Sequence, residues 1–117
     1  MKDNQPELAR QTELYNTIPS KFVDIAVTVG EVEFNLNALG SGPTVSLAGK
    51  RIRLRAQGTT VTYLASAAAD VVMVAGSTGL ILTDGSVSER YYVPVAATIP
   101  LCVIGAGAGT LRIFYDD

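Results

Sequence analysis

Hydrophobic and polar positions alternate with a period of two along most of the chain after residue 22. Val23, Ile25 and Val27 occupy odd positions between polar or small residues, and Val32 and Phe34 do the same at even positions after a glycine. Successive side chains of a β-strand point to opposite faces, so each run predicts a strand that buries one face.

Further runs of the same kind follow at intervals of about ten residues, separated by segments rich in Gly, Ser and Asp. They cover residues 51–56, 60–65, 71–75, 80–83, 90–95, 99–104 and 111–115. Regularly spaced short strands with glycine-rich connections are typical of an all-β sandwich or barrel. The sequence therefore predicts one antiparallel, jelly-roll-like β-sandwich domain over residues 20–117.

Two connections look like hairpin turns. Gln57-Gly58 joins the runs 51–56 and 60–65, and glycine favours a tight turn because it readily adopts positive φ. The glycine-rich segment 105–109 precedes a strand pattern, which predicts another hairpin connection and argues against a phosphate-binding loop before a helix. Pro94 and Pro100 cannot donate to a strand ladder, so their strands should lie at an edge or carry a bulge.

Residues 1–19 have a different character, polar and mixed, and they form a separate N-terminal arm or short helix in this interpretation. Pro6 suits the first turn of a helix, but a helix of about ten residues is marginal alone. Leu8, Tyr15 and Ile18 are the candidate anchors by which this arm would order on a neighbouring protein. The polar start has no apolar signal core, so synthesis and folding in a reducing cytosol are expected.

The composition excludes several kinds of catalytic and metal-binding site. The chain of 117 residues is 48% hydrophobic and 17% charged, with a net charge of −2, one Cys and no His. Catalytic systems built on His, internal disulfides and Cys-rich zinc sites are therefore excluded. No calcium-loop pattern and no tuned carboxylate pair is visible, and the charge balance argues against nucleic acid. We expect a protein that is not an enzyme, with no cofactor, no metal, no nucleic-acid partner and no membrane association.

The most distinctive local feature is a row of three arginines, Arg51, Arg53 and Arg55, on one face of a predicted strand. Two interpretations stay open: cross-strand pairing with Glu31 and Glu33, or binding to an acidic partner surface.

Two other features concern single side chains. Tyr91 and Tyr92 should point to opposite strand faces, which makes Tyr92 a candidate contact residue. Cys102 lies in an apolar run and should be a small core residue.

The strand–glycine–strand pattern of residues 51–65 and the ending 109–116 resemble small virion proteins of tailed bacteriophages. The resemblance implies a capsid decoration, or cement, protein, which binds the outside of an assembled capsid and stabilises contacts between major capsid protein subunits. It further implies a homo-oligomer, a trimer or a dimer, made in the host cytoplasm and located on the capsid surface of the virion. The alternatives are another virion component, such as a tail, neck or fibre-attachment protein, or a small carbohydrate-binding module.

Overall fold

Eight strands and one short 3-10 turn make up the regular structure of residues 19–40 and 43–116, the part of the chain that the computed structural model describes. The strands are β1 (Lys21–Val27), β2 (Val32–Asn35), β3 (Arg51–Gln57), β4 (Val61–Leu64), β5 (Leu80–Leu82), β6 (Tyr91–Tyr92), β7 (Pro100–Gly105) and β8 (Gly109–Tyr115), and the 3-10 turn is Ala68–Asp70. The predicted anchors of the arm, Leu8, Tyr15 and Ile18, lie outside the described residues.

The strands form two antiparallel sheets of four. Sheet A has the order β1-β8-β3-β6, and sheet B has the order β2-β7-β4-β5. The strands pair from the two ends of the chain inward. β1 pairs with β8, β2 with β7, β3 with β6 and β4 with β5. This is the arrangement of a long hairpin wound into a jelly roll. The predicted all-β, jelly-roll-like sandwich is confirmed.

The core lies between the two sheets and is built from every second residue of the strands. Its most deeply buried side chains include Leu54, Val61, Val103, Leu111 and Ile113, each at most 1% exposed. Burying one such side chain contributes about 1.5–3 kcal/mol relative to leaving it in water. The period-two pattern therefore identified the inward faces of β1, β3 and β8.

The hairpin predicted over residues 51–65 is wrong. β3 belongs to sheet A and β4 to sheet B, so the chain turns a corner between sheets at Gly58. Gly58 has a φ of 86°, and its N–H donates to Oδ1 of Asp84 at 2.9 Å. The edge of β3 that would have received β4 is occupied by β8, whose Thr110 lies opposite Gln57.

The hairpin predicted at residues 105–109 is wrong for the same reason, because β7 lies in sheet B and β8 in sheet A. Both edges of each strand are already paired with other strands. At this corner Gly109 allows the backbone to pack closely against residues 57–59. A Cβ added to Gly109 would lie 2.7 Å from the carbonyl oxygen of Gln57 and 2.7 Å from Cγ2 of Thr59.

The strand predicted over residues 71–75 is also wrong. Residues 66–79, here called the cap, connect β4 to β5 across the outer face of sheet B. Met73 is 5% exposed and packs with Cys102 and Ile104 in a small second core. Alternate residues do point inward and outward, but the backbone bonds to side chains of β2 and its flank: Glu31 accepts from Met73 N at 2.6 Å and Glu33 accepts from Ala68 N at 2.5 Å.

The cap explains why β7 is buried on both faces. Cys102 is 0% exposed, which confirms it as a core residue, and burial raises the pKa of its thiol. Pro100 begins this central strand, so the prediction that its strand lies at an edge is wrong. A proline is tolerated at the first residue of a strand, where one missing donor interrupts no continuing ladder. Pro94 lies just beyond β6, the edge strand of sheet A.

Candidate docking face

The outer face of sheet A carries aligned rows of side chains that follow from the strand register. Phe22 on β1 lies opposite Phe114 on β8, which lies opposite Arg53 on β3. A second row is formed by Asp24, Arg112 and Arg55, and Arg51 lies opposite Tyr92 at the β6 edge. We call this surface the sheet A face, and its members are Phe22, Asp24, Arg51, Arg53, Arg55, Tyr92, Arg112 and Phe114.

Contacts among these side chains organise one side of the face. Arg112 donates from Nε to Oδ1 of Asp24 at 2.8 Å and from Nη2 to Oδ2 at 3.0 Å. Its guanidinium carbon lies 4.0 Å from the ring centroid of Phe22, which meets Phe114 edge-on at 6.4 Å. The hydrogen bond to Asp24 raises the pKa of Arg112. Such cation–π and bidentate contacts restrict the rotamers of exposed side chains.

The proposed pairing of the arginine row with Glu31 and Glu33 is wrong. Both glutamates belong to the sheet B side, where they hold the cap. Arg53 instead faces Phe114 and Arg55 faces Arg112 across the ladder, and neither forms an ion pair with a carboxylate of the described residues. Two strands with matching alternation do not have to be neighbours, and here they lie in different sheets.

Charge is divided between the two sides of the sandwich. Within residues 19–40 and 43–116, every cationic side chain lies on a strand of sheet A or directly before one: Lys21, Lys50, Arg51, Arg53, Arg55, Arg90 and Arg112. Glu31, Glu33 and Asp70 lie on the sheet B side, whereas Asp24, Glu89 and Asp116 lie on sheet A strands or beside them, where the cations outnumber these carboxylates. The protein has a net charge of −2, yet sheet A presents a cationic surface that would attract an acidic partner.

The greatest concentration of positive charge lies where β3 meets β6. Arg90 directly precedes β6, and the register of the pair brings it beside Arg53. Burial and the neighbouring Arg53 lower the pKa of Arg90. Nε of Arg53 and Nη1 of Arg90 are buried without a hydrogen-bond partner in the described structure.

A second candidate site is an apolar cavity of about 320 Å³ between the sheets, beside their β5 and β6 edges. Its lining includes Ile52, Leu54, Tyr63, Leu80, Tyr91 and Leu101. The hydroxyls of Tyr63 and Tyr91 lie 2.8 Å apart, and burial together with this hydrogen bond raises the pKa of Tyr63. Tyr91 thus points inward while Tyr92 is 63% exposed, which confirms that the two rings lie on opposite faces.

Residues 19–40 and 43–116 contain no cluster of three or more Cys, Asp or Glu side chains placed to hold a metal ion. Over the same ranges, no helix has the length and hydropathy that crossing a bilayer requires.

Comparison with known proteins gives little further guidance. No protein-family model and no curated protein sequence matches the chain. Among solved structures, a de novo designed double-stranded β-helix, determined by solution NMR, is similar with 15% identity and a TM-score of 0.46. The match covers 83% of this chain and 100% of that chain. The fold assignment therefore rests on this chain's own strand order.

Four members of the sheet A face were not singled out as contact residues from the sequence, namely Phe22, Asp24, Arg112 and Phe114, and neither was the neighbouring Arg90. Alternation alone places Phe22, Arg112 and Phe114 outward, because each lies on the face opposite to the buried residues of its strand. What the sequence does not reveal is that β1, β8 and β3 are adjacent, and only this adjacency joins the separate side chains into one surface.

Proposed function

We propose that this protein is a virion structural protein that binds the outside of an assembled phage capsid through the sheet A face and stabilises contacts between major capsid protein subunits. One observation carries the proposal. The chain covers the outer face of sheet B with its own cap, but leaves the outer face of sheet A uncovered by any described segment and places its cations and exposed rings there.

The chemistry of the face favours a protein partner with acidic groups. Arginine binds carboxylates through two parallel hydrogen bonds and also stacks on flat groups, so it contributes both to affinity and to orientation. A ligand that binds only the assembled state stabilises that state by mass action. In a trimer or dimer, several weak contacts would add through effective concentration without a stronger individual interface.

Two features make a carbohydrate-binding module the weaker alternative. A sugar platform needs neighbouring aromatic rings that lie flat side by side, but Phe22 and Phe114 meet edge-on at an interplanar angle of 60°, and Tyr92 lies on the opposite edge strand of sheet A. The interior cavity offers two tyrosine hydroxyls in an otherwise apolar lining, whereas a sugar presents many hydroxyls that each need a partner. Another virion component, such as a tail or neck protein, would use the same face on a different neighbour.

Co-sedimentation with assembled capsids of the phage that carries the protein tests the proposal. The double variant Arg53→Gln/Arg55→Gln should lose most of its binding, since it removes two positive charges at the centre of the face. The control Val72→Glu/Ser77→Glu changes the net charge equally on the exposed cap and should bind like the wild type. Equal loss in both variants, or in neither, would contradict docking through sheet A.

The N-terminal arm needs a separate test. Leu8, Tyr15 and Ile18 remain proposed contact residues on the basis of the sequence alone. Deletion of residues 1–19 should reduce occupancy on capsids while leaving the melting temperature of the isolated domain nearly unchanged. Unchanged occupancy would remove the arm from the mechanism.

A further inference from the structure

Two arginines on neighbouring strands lie side by side at the β3–β6 edge of sheet A. Arg51 pairs with Tyr92 and Ile52 with Tyr91, so continuing the register brings Arg90 beside Arg53. Like charges directly opposite each other on a sheet destabilise it. An arrangement of this kind is stabilised when an anion binds between the two guanidinium groups.

The hydrogen bonding of the pair is incomplete. Nε of Arg53 and Nη1 of Arg90 have no partner although both atoms are buried. Buried donors without acceptors cost free energy, and charged ones cost more. The lowered pKa of Arg90, caused by burial and by Arg53, has the same physical origin.

The arginines border an open cleft. Its volume is about 510 Å³, and its lining consists of Ala48, Gly49, Lys50, Arg51, Arg90, Tyr92 and Asp116. Arg53 lines a smaller adjoining pocket with Arg51, Arg90 and Asp116. Among the residues that the structure describes, Asp116 is the one carboxylate in either lining, and its Oδ1 already accepts a hydrogen bond from Ser20 N at 2.9 Å. Counted over these residues, the cleft has more cationic than anionic groups.

We propose that this cleft, lined by Arg51, Arg90 and Tyr92, acts together with Arg53 of the adjoining pocket to bind a carboxylate side chain on an acidic segment of the docking partner. The inference rests on the proposed function, which it deepens by naming the chemical group that enters the cleft. A carboxylate fits because it accepts two parallel hydrogen bonds from a guanidinium, and the ring of Tyr92 forms a wall against which the segment can lie.

The first experiment measures binding of a short peptide of alternating Asp and Gly residues, with blocked ends, to the full-length protein by calorimetry. An otherwise identical peptide with Asn in place of Asp is the ligand control. The variant Arg53→Gln/Arg90→Gln should weaken binding of the Asp peptide at least tenfold. Lys21→Gln removes a cation of the same sheet that lines neither the cleft nor the adjoining pocket, and it should retain wild-type affinity.

A stability measurement separates a binding site from a structural arginine pair. In a chloride buffer without peptide, Arg90→Gln should raise the melting temperature, because it relieves the repulsion from Arg53. The Asp peptide should raise the melting temperature of the wild type but not that of this variant. A lower melting temperature in chloride would identify Arg90 as structural and overturn the proposal.

Other results of these experiments would also decide whether the cleft binds a carboxylate. Equal affinity for the Asp and Asn peptides, or equal loss in Lys21→Gln, would overturn the cleft as a carboxylate site. Binding of inorganic phosphate without binding of the Asp peptide would assign the cleft to a different anion. Peptide binding that survives while capsids fail to bind would contradict the proposed function and leave the cleft assignment in place.

Discussion

Arg112 on β8 holds Asp24 on β1 through two hydrogen bonds of 2.8 and 3.0 Å, and on its other side it lies opposite Arg55 on β3. Asp24 thus neutralises one of two adjacent cations, and Arg55 is left with its charge at the centre of the sheet A face. The ion pair therefore limits repulsion within the sheet while keeping the face cationic.

Asp24→Asn should lower the melting temperature by a small amount, because it removes the charge that neutralises Arg112 and leaves Arg112 and Arg55 as adjacent uncompensated cations. Both partners are exposed to solvent, so the decrease should be larger at about 0.05 M salt than at about 1 M salt, where charges are screened within a few ångströms. Thermal unfolding at the two salt concentrations measures it. Asp70→Asn, on the sheet B side, is the control, and an Asp24→Asn effect independent of salt would argue against an electrostatic origin.

Met73→Ala should destabilise the protein by about 2–5 kcal/mol, the usual range for truncating a buried methionine. Met73 covers Cys102 on the outer face of sheet B, so the variant should also increase the rate at which a thiol reagent modifies Cys102 in the folded protein. Urea unfolding and thiol labelling measure the two effects. Val72→Ala, which truncates a side chain that is 79% exposed, should change neither.

Tyr63→Phe should cost about 1 kcal/mol at neutral pH, because Tyr91 loses its hydrogen-bond partner inside the cavity. The pH dependence has a defined sign. Folding raises the pKa of Tyr63 above its ordinary value of 10.0, so its contribution to stability is complete below pH 10.0 and decreases as the pH rises further. Unfolding in urea at pH 8 and at about pH 10.5 should show a steeper loss in the wild type than in Tyr63→Phe. Equal losses would contradict the burial of this hydroxyl.

Gly109→Ala should destabilise the protein by about 1–3 kcal/mol, the usual cost of overpacking, because the new methyl group would collide with the backbone of Gln57. Gly107→Ala at the same corner is the matched control. Its Cβ would lie 3.6 Å from Oγ1 of Thr59, an ordinary contact. Circular dichroism melts of the two variants distinguish them, and equal stability would show that β8 does not pack closely against the Gln57 corner.

The sequence was informative about strands and faces and much less so about pairing. The alternation of polar and apolar residues located β1, β3 and β8 and the buried side of each, because residues two positions apart in a strand lie on the same face. It could not show that Gly58 marks a corner, because a glycine with positive φ suits both a hairpin turn and a crossing between sheets. In a jelly roll only β4 and β5 are both consecutive and paired, so reasoning from local turns fails at nearly every connection.

For the candidate surface, too, the sequence predicted which side chains point outward but not which strands are neighbours. The outward direction of Arg51, Arg53 and Arg55 followed from local alternation and is confirmed. Their real neighbours come from residues about 40 to 60 positions away in the chain, and no local pattern encodes such adjacency. The cap was not predicted for a different reason. Residues 71–75 alternate like a strand, but the backbone N–H of Met73 donates to the side chain of Glu31, where in a sheet it would donate to a neighbouring strand.

A cryo-electron-microscopy reconstruction of capsids carrying this protein tests the account most directly, since the orientation of the sandwich on the shell is visible at the level of its two sheets. The account predicts that sheet A faces the major capsid protein, with Arg53 and Arg55 near acidic side chains, and that the cap points to solvent. A reconstruction with the cap against the shell and sheet A in solvent would contradict it.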